Sequence, residues 1–306
     1  KTICKYFCKK TKKFKILLII FSKSPVLYIE ASKKYIKEKR KKQMKTKYDE
    51  FYFENDRNYP ADTYWNLYDE NKKVAMRTYD GHIFCPLCKL APLTVAHGNK
   101  LRYFKVSGSN KEKHAANCSY RYDKATKKEV CSFYSDLNND DINNRLVSCI
   151  NKMLKKERTK INNRKNVDYK GNETRRSFCD IIGKGGKNKY LPHKNFNCGN
   201  LEIDLDEQKI YYGRCYLYIV KYIPKNENEV KMYYLKVLSP DNKRQICEII
   251  ISPFIYNYLE NELADVPTEK KDAAKYYLCF AGILEKTKWS YALKLRDSRL
   301  IVLEKA

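Results

Sequence analysis

The stretch HIFCPLC at residues 82–88, followed by HAANC at residues 114–118, sets Cys85, Cys88, His114 and Cys118 in the pattern C-x2-C-x25-H-x3-C. A two-residue gap lets both thiolates of one tight turn face a single ion, and a three-residue gap brings a histidine and a cysteine together across one helical turn. Twelve cysteines and four histidines in 306 residues produce by chance about 0.4 C-x2-C pairs and about 0.16 H-x3-C pairs. Each half alone is weak, whereas the two together within 34 residues point to a structural Zn²⁺. Four protein ligands leave no open position for water, and no H-x-E pattern accompanies them, which argues against a catalytic metal. The plain alternative is a set of buried thiols beside a surface histidine. His82 is the first substitute ligand to consider, and His193 with Cys198 is a candidate second half-site. Cys131, Cys149, Cys179, Cys198, Cys215, Cys247 and Cys279 have no ligand-like spacing to one another and read as core or incidental residues.

Charge surrounds this cluster unevenly. The chain carries 63 Lys+Arg against 36 Asp+Glu, a formal +27, of which residues 1–48 hold +15 and residues 101–200 hold +13, while residues 201–306 are near neutral at +1. Basic blocks attract polyanions by counterion release, and nucleic acid is the commonest such partner in the cytoplasm. Part of the lysine excess follows from AT-rich coding, which also enriches Asn, Ile, Tyr and Phe. Apolar residues make up 43% of the chain, enough to build a core. The cysteines are too dispersed for a secreted disulfide scaffold, and the apolar run Ile16–Phe21 is too short for a membrane span or a good signal core, so a reducing cytoplasmic setting is expected. Met44, downstream of Arg40 and its lysines, is the expected start of translation for a mature chain; the other possibility is a basic helix from Glu30 to Lys47.

The expected fold class is α+β, in five parts: a basic leader over residues 1–43, a zinc-ribbon-like module over 44–135, an amphipathic helix over 136–160, a basic linker or loop over 161–200, and a β-rich, OB-like barrel over 201–306. Pro60 and Asp62 mark a turn or helix start. Short strands are expected near Leu93–Val95 and Leu101–Val106. Asn139 or Asp140 can cap a helix in which Ile142, Leu146, Ile150 and Leu154 recur every four residues. Strand signals then follow at Ile210–Ile223, Val230–Leu238 and Gln245–Ser252, a helix at Pro253–Leu263, and strands at Lys275–Leu284, Ser290–Leu295 and Leu300–Leu303. Three strands, a helix and two or three more strands is the order of an OB-fold, with other β barrels or an α+β sheet as alternatives.

The run Phe84-Cys85-Pro86-x-Cys88, the aromatic strand-like segment Leu101–Val106, then His114-x3-Cys118 and Tyr120 resembles the N-terminal zinc-ribbon module of CoiA-type competence proteins and of uncharacterised bacterial proteins. The likeness covers about residues 82–122. It departs from the family where an HF-x-H pattern is usual, because Tyr103 and Phe104 are followed here by Lys105. What the resemblance implies is DNA handling in a bacterial or mobile-element setting, with zinc holding a small fold. The expected function is therefore non-catalytic binding of nucleic acid, single-stranded DNA before duplex, and no membrane role. In it Arg102, Lys105, Lys111, Lys113 and Arg121 neutralise phosphates while Tyr216, Tyr218 and Trp289 stack on bases. Most aromatics of the C-terminal region are expected in its core. Two alternatives stay open: a protein-interaction scaffold, and a metal-dependent nuclease of the D…E-x-K kind using Asp204, Asp206, Glu229 and Lys231, a domain the CoiA likeness also suggests. The GKGGK run at residues 183–187 has the wrong spacing for a P-loop.

Overall fold

The computed structural model describes residues 47–54, 56–97, 102–106, 113–136, 139–154, 177–198, 201–225, 229–241, 243–288 and 290–306. Expectations for residues 1–46, Lys111, Trp289, residues 155–176 and the side chains of Asn139, Asp140 and Asp204 lie outside these.

The first half builds a platform of short elements. Strand β1 (Glu50–Phe53) pairs antiparallel with β2 (Asn58–Pro60) and with β3 (Ile83–Phe84), giving the order β2-β1-β3. Pro60 ends β2 and precedes helix α1 (Ala61–Glu70), where Asp62 lies in the first turn and favours the positive end of the helix. Asn71 breaks the helical path with extended backbone, and its side chain accepts the Val74 amide to start α2 (Lys72–Tyr79). Tyr64 is fully buried between the two helices and donates to Asp80 Oδ1 at 3.0 Å. Strands β4 (Leu93–His97) and β5 (Arg102–Val106) form a hairpin with Leu93 opposite Val106, over the two segments read as strand-like.

Helix α3 (Lys127–Asp136) starts at a capping box: the Thr126 amide and hydroxyl both donate to Glu129 Oε2 at 2.8 Å, and the Glu129 amide returns to Thr126 Oγ1. Helix α4 (Asn139–Met153) buries Ile142, Leu146 and Ile150, with Leu154 just beyond, as their spacing requires.

Residues 177–198 correct the expectation of a linker. Phe178, Cys179, Ile181, Tyr190, Leu191 and Phe196 are buried, and the segment carries β7 (Asp180–Ile182), β8 (Asn188–Tyr190) and β9 (His193–Asn195). The glycine cluster at 183–187 is the turn between β7 and β8, and β8 also pairs in parallel with β6 (Asp123–Lys124). Arg145 of α4 donates to the carbonyls of Phe178 and Asp180 at 3.1 and 2.8 Å, which fastens the segment to the helix.

The C-terminal sheet follows the expected order closely. Its strands are β10 (Gln208–Tyr222), β11 (Met232–Leu238), β12 (Gln245–Ile251), β13 (Ala274–Ile283), β14 (Glu285–Lys286), β15 (Tyr291–Lys294) and β16 (Ile301–Lys305). They are ordered β14-β15-β12-β11-β10-β13-β16, with β9 parallel to β10 and β15 parallel to β12. The hydrogen-bonded ladder therefore ends at β14 and β16 and does not close on itself, which corrects the barrel to an open sheet. Ser252 caps α5 (Pro253–Tyr258), which leads into α6 (Glu260–Leu263).

Alternation along β10 builds two cores. Tyr211, Cys215, Leu217 and Ile219 face one side with Leu235, Val237, Ile249, Leu278, Phe280 and Leu263 of α6. Ile210 and Tyr212 face the other with Cys279, Ala281, Leu146, Ile150 and the first-half residues Phe51, Tyr64 and Leu93. The sheet thus shares a core with the half that carries the Cys/His cluster, and the described residues belong to one compact unit.

Candidate metal centre

Four side chains from two loops converge. Cys85 and Cys88 sit on a turn in which the Cys85 amide donates to Ala91 O and the Lys89 amide returns to Cys85 O, both at 2.8 Å. Lys89 takes a left-handed φ of 60°, which bends the chain back towards β4. His114 and Cys118 come from a second turn, closed by the Cys118 amide on Ala115 O at 2.9 Å. One ligand atom from each residue lies within 4.8 Å of all the others, and among the described residues this is the one cluster of three or more potential metal ligands. The group could hold a metal ion.

The spacing fits a tetrahedron. With metal–sulfur bonds of about 2.3 Å and metal–nitrogen bonds of about 2.0–2.1 Å, the edges of a zinc tetrahedron measure roughly 3.8 Å between sulfurs and 3.5 Å between sulfur and nitrogen. Cys85 Sγ and Cys118 Sγ are 4.0 Å apart, and His114 Nδ1 lies 3.5 Å from Cys88 Sγ and 3.4 Å from Cys118 Sγ. His114 is therefore poised to ligate through Nδ1. Its Nε2 faces the Tyr48 hydroxyl at 3.2 Å, a contact that fixes ring orientation.

Crowding three thiols in a buried site sets their acidities apart. Hydrogen bonds from Cys118 and Cys85 hold Cys88, the half-buried member, well below the usual thiol range. Burial drives Cys85 far up. At Cys118 a hydrogen bond from Cys85 that lowers the thiol is outweighed by its bond to Cys88 and by burial, and it is pushed up to about 12. One negative charge is thus easily held here, and three need a cation among them. Lys47 adds positive charge nearby: its Nζ donates to Tyr120 O at 2.6 Å, and Cys85 and Cys118 act to keep it protonated against the larger effect of burial.

The other candidates fall elsewhere. His82 is exposed and bonds Glu54 at 2.8 Å, outside the cluster. His193 is half-buried with both ring nitrogens engaged, Nδ1 with Leu191 O and Nε2 with the Tyr120 hydroxyl, each at 3.0 Å, and loss of hydration lowers it to about 4. With no ring nitrogen to spare, it does not form a half-site with Cys198. Asp206 precedes β10 whereas Glu229 and Lys231 follow its far end, so a fifteen-residue strand separates them and the D…E-x-K set is not assembled. Arg102 pairs with Asp69 at 2.5 Å and lies over the Trp65 and Tyr68 rings, a structural commitment. Lys105 and Lys113 are exposed and Arg121 is half-buried. Tyr216 and Tyr218 are half-buried on β10, with the Lys243 and Lys275 ammoniums 4.8 and 5.8 Å from the Tyr216 ring. Tyr211, Tyr212, Tyr276 and Phe280 are core residues.

Glu50 has no counterpart among the sequence expectations. It is buried, accepts Asn195 Nδ2 at 2.7 Å and the Tyr212 hydroxyl in a short bond, and burial raises it to about 7 despite those bonds. No spacing rule links it to Tyr212, 162 residues away. Tyr48 and Lys47 escape the motif for the same reason.

The chain matches no protein-family model, no curated protein and no solved structure.

Proposed function

We propose that this chain carries one structural zinc ion on Cys85, Cys88, His114 and Cys118 and binds nucleic acid without catalysis, single-stranded DNA in preference to duplex. The observation that carries the proposal is the closed set of four soft ligands set in a strongly basic chain: the donors suit zinc, and they fill the tetrahedron, so no position is left for a reacting water. Bound there, zinc would hold the two turns together. Lys105 on the same half is at the surface, where it could meet phosphates.

The C-terminal sheet is open along its ladder, yet the chain bends its two sides towards each other. Strand β13 runs through Leu284 into β14, which pairs with β15, so the chain itself links the two sides of the ladder. A Cβ on Gly282 would lie 2.5 Å from Leu293 Cδ1, a measure of how closely β13 approaches β15.

Metal analysis combined with a salt titration tests the proposal. One zinc per chain is expected, with single-strand affinity falling steeply as salt rises. Binding indifferent to salt overturns it in favour of a protein-interaction scaffold, to which the exposed rings of Phe254 (69%) and Tyr258 (64%) on α5 would contribute.

A further inference from the structure

Among the described residues, the far end of β10 is covered on one side only. Ile210 and Tyr212 near its start pack against the first half of the chain. Further along the same side, Tyr216 and Tyr218 are half-buried, and Val220 and Tyr222 are 36% and 51% exposed. The residues between them, Cys215, Leu217 and Ile219, are buried in the core on the opposite side. Antiparallel partners share a side of a sheet. Lys275 stands beside Tyr216, Lys236 beside Tyr218, and Tyr234 beside Val220, so these side chains join the same open surface. On it the Tyr222 and Tyr234 rings meet edge to face at 6.5 Å.

Lysines gather on these rings. Lys243 Nζ lies 4.8 Å and Lys275 Nζ 5.8 Å from the centre of the Tyr216 ring, and Lys236 Nζ lies 5.0 Å from that of Tyr234. A group set against Tyr216 is therefore within reach of both Lys243 and Lys275. Lys243 arrives from the turn between β11 and β12 with a left-handed φ of 51°, a backbone shape that crowding disfavours for any residue but glycine. Both lysines are exposed, and neither forms an ion pair among the described residues. Lys236 is held by Glu248. By register, the other acids on this side are Glu285 and Glu304, on the outermost strands β14 and β16. The free positive charge thus stands beside the central rings.

Side chains two residues apart on a strand are spaced by about 6.4–6.8 Å, so Tyr216 and Tyr218 offer two flat positions in series with ammoniums at their edge. Single strands are held by such a combination: bases stack on successive rings while cations track the backbone. We infer that the side of the sheet bearing Tyr216 and Tyr218 seats two successive bases of single-stranded DNA, with Lys243 and Lys275 on the adjoining phosphates. In the free protein these two lysines lie against the Tyr216 ring; a bound strand takes their place there and draws the ammoniums to its phosphates. The inference rests on the proposed nucleic-acid role and adds where the strand lies, on the sheet and not on the metal-bearing turns.

Fluorescence polarisation on the full chain tests it with two labelled probes, an oligothymidine of about twelve nucleotides and an abasic strand of the same length. The abasic strand carries the phosphates without the bases, so the parent is expected to bind oligothymidine at least about tenfold tighter. Tyr218→Ala should weaken oligothymidine about tenfold and close most of that gap. Lys243→Ala and Lys275→Ala change exposed side chains, so the fold should survive. Each should weaken both probes and lower the salt slope by about 0.7. Melting curves control for folding, and the lysine variants and the abasic comparison decide the matter if Tyr218→Ala unfolds. Equal parent affinity for the two probes overturns the inference and leaves the proposed function standing. Oligothymidine binding indifferent to a folded Tyr218→Ala, or to both lysine variants, does the same. A parent that binds neither probe overturns both.

Discussion

Tyr48 is the residue whose part in the metal centre can be measured most directly. Its hydroxyl meets Nε2 of His114, the ring nitrogen that does not face the thiols. Partners of this kind typically contribute 10- to 100-fold in metal affinity. Tyr48→Phe is expected to weaken zinc about tenfold in competition with a chromogenic chelator, while leaving one site per chain. Glu50 and His193 supply a second test through pH. Glu50, raised from 4.5 to about 7, keeps its proton in the folded state over a range where the unfolded chain has lost it, so its contribution to stability falls as pH rises through that window. His193, lowered from 6.5 to about 4, stays neutral in the fold while the unfolded chain binds a proton, so its contribution rises with pH. The slopes oppose each other between pH 4.5 and 6.5. Glu50→Gln removes one of them, and the unfolding free energy of that variant, from urea titrations, should climb from pH 5 to 6.5 by about 1.4 kcal/mol per pH unit relative to the parent. A variant profile parallel to the parent's would show that Glu50 does not titrate in this range.

At the scale of elements, β9 lies against β10 because Gly213 has no side chain. A Cβ there would come within 2.5 Å of the Phe196 ring and 2.8 Å of Asn197 Nδ2. Gly213→Ala is expected to cost about 1–3 kcal/mol, read as a lower urea midpoint with unchanged zinc content. That contact also explains which elements were legible in the sequence. Helix α4 announced itself because Ile142, Leu146 and Ile150 repeat over fifteen residues, and β10 to β12 because each alternates over at least seven. Strands β7, β8 and β9 have three residues each, too few for any period to emerge, and their apolar residues are scattered among Lys, Gly and Asn. Helix α3 was legible in principle, since Thr126 and Glu129 spell a capping box, yet its apolar face is short. The four metal ligands stood out because ligand spacing is a local property. Tyr48, Lys47 and Glu50 did not, because their partners are 66 or more residues away.

At the scale of the molecule, the candidate ligands and the sheet share one core, so losing the proposed ion should loosen the sheet. Cys85, Cys118 and Leu146 belong to the same buried cluster as Ile210 and Tyr212 of β10. Removing zinc with a strong chelator should therefore lower the melting temperature of the whole unit in a single transition, followed by far-ultraviolet circular dichroism. Two separate transitions would show that the halves unfold independently. The surface charge belongs to this scale as well: if several phosphates are neutralised at once, log affinity for single-stranded DNA should fall linearly with log salt at a slope of about −0.7 per phosphate contact.

The bond from Tyr212 to Glu50 spans 162 residues, and that span has a meaning in time. At about 5–20 residues per second, the ribosome releases the carboxylate roughly 8 to 32 s before the tyrosine that will meet it. Cys85 and Cys118 are 33 residues apart and emerge almost together. During synthesis, a nascent first half thus presents all four candidate ligands well before its sheet exists, so that, if the proposed zinc binds, its supply at the moment of translation bears on assembly.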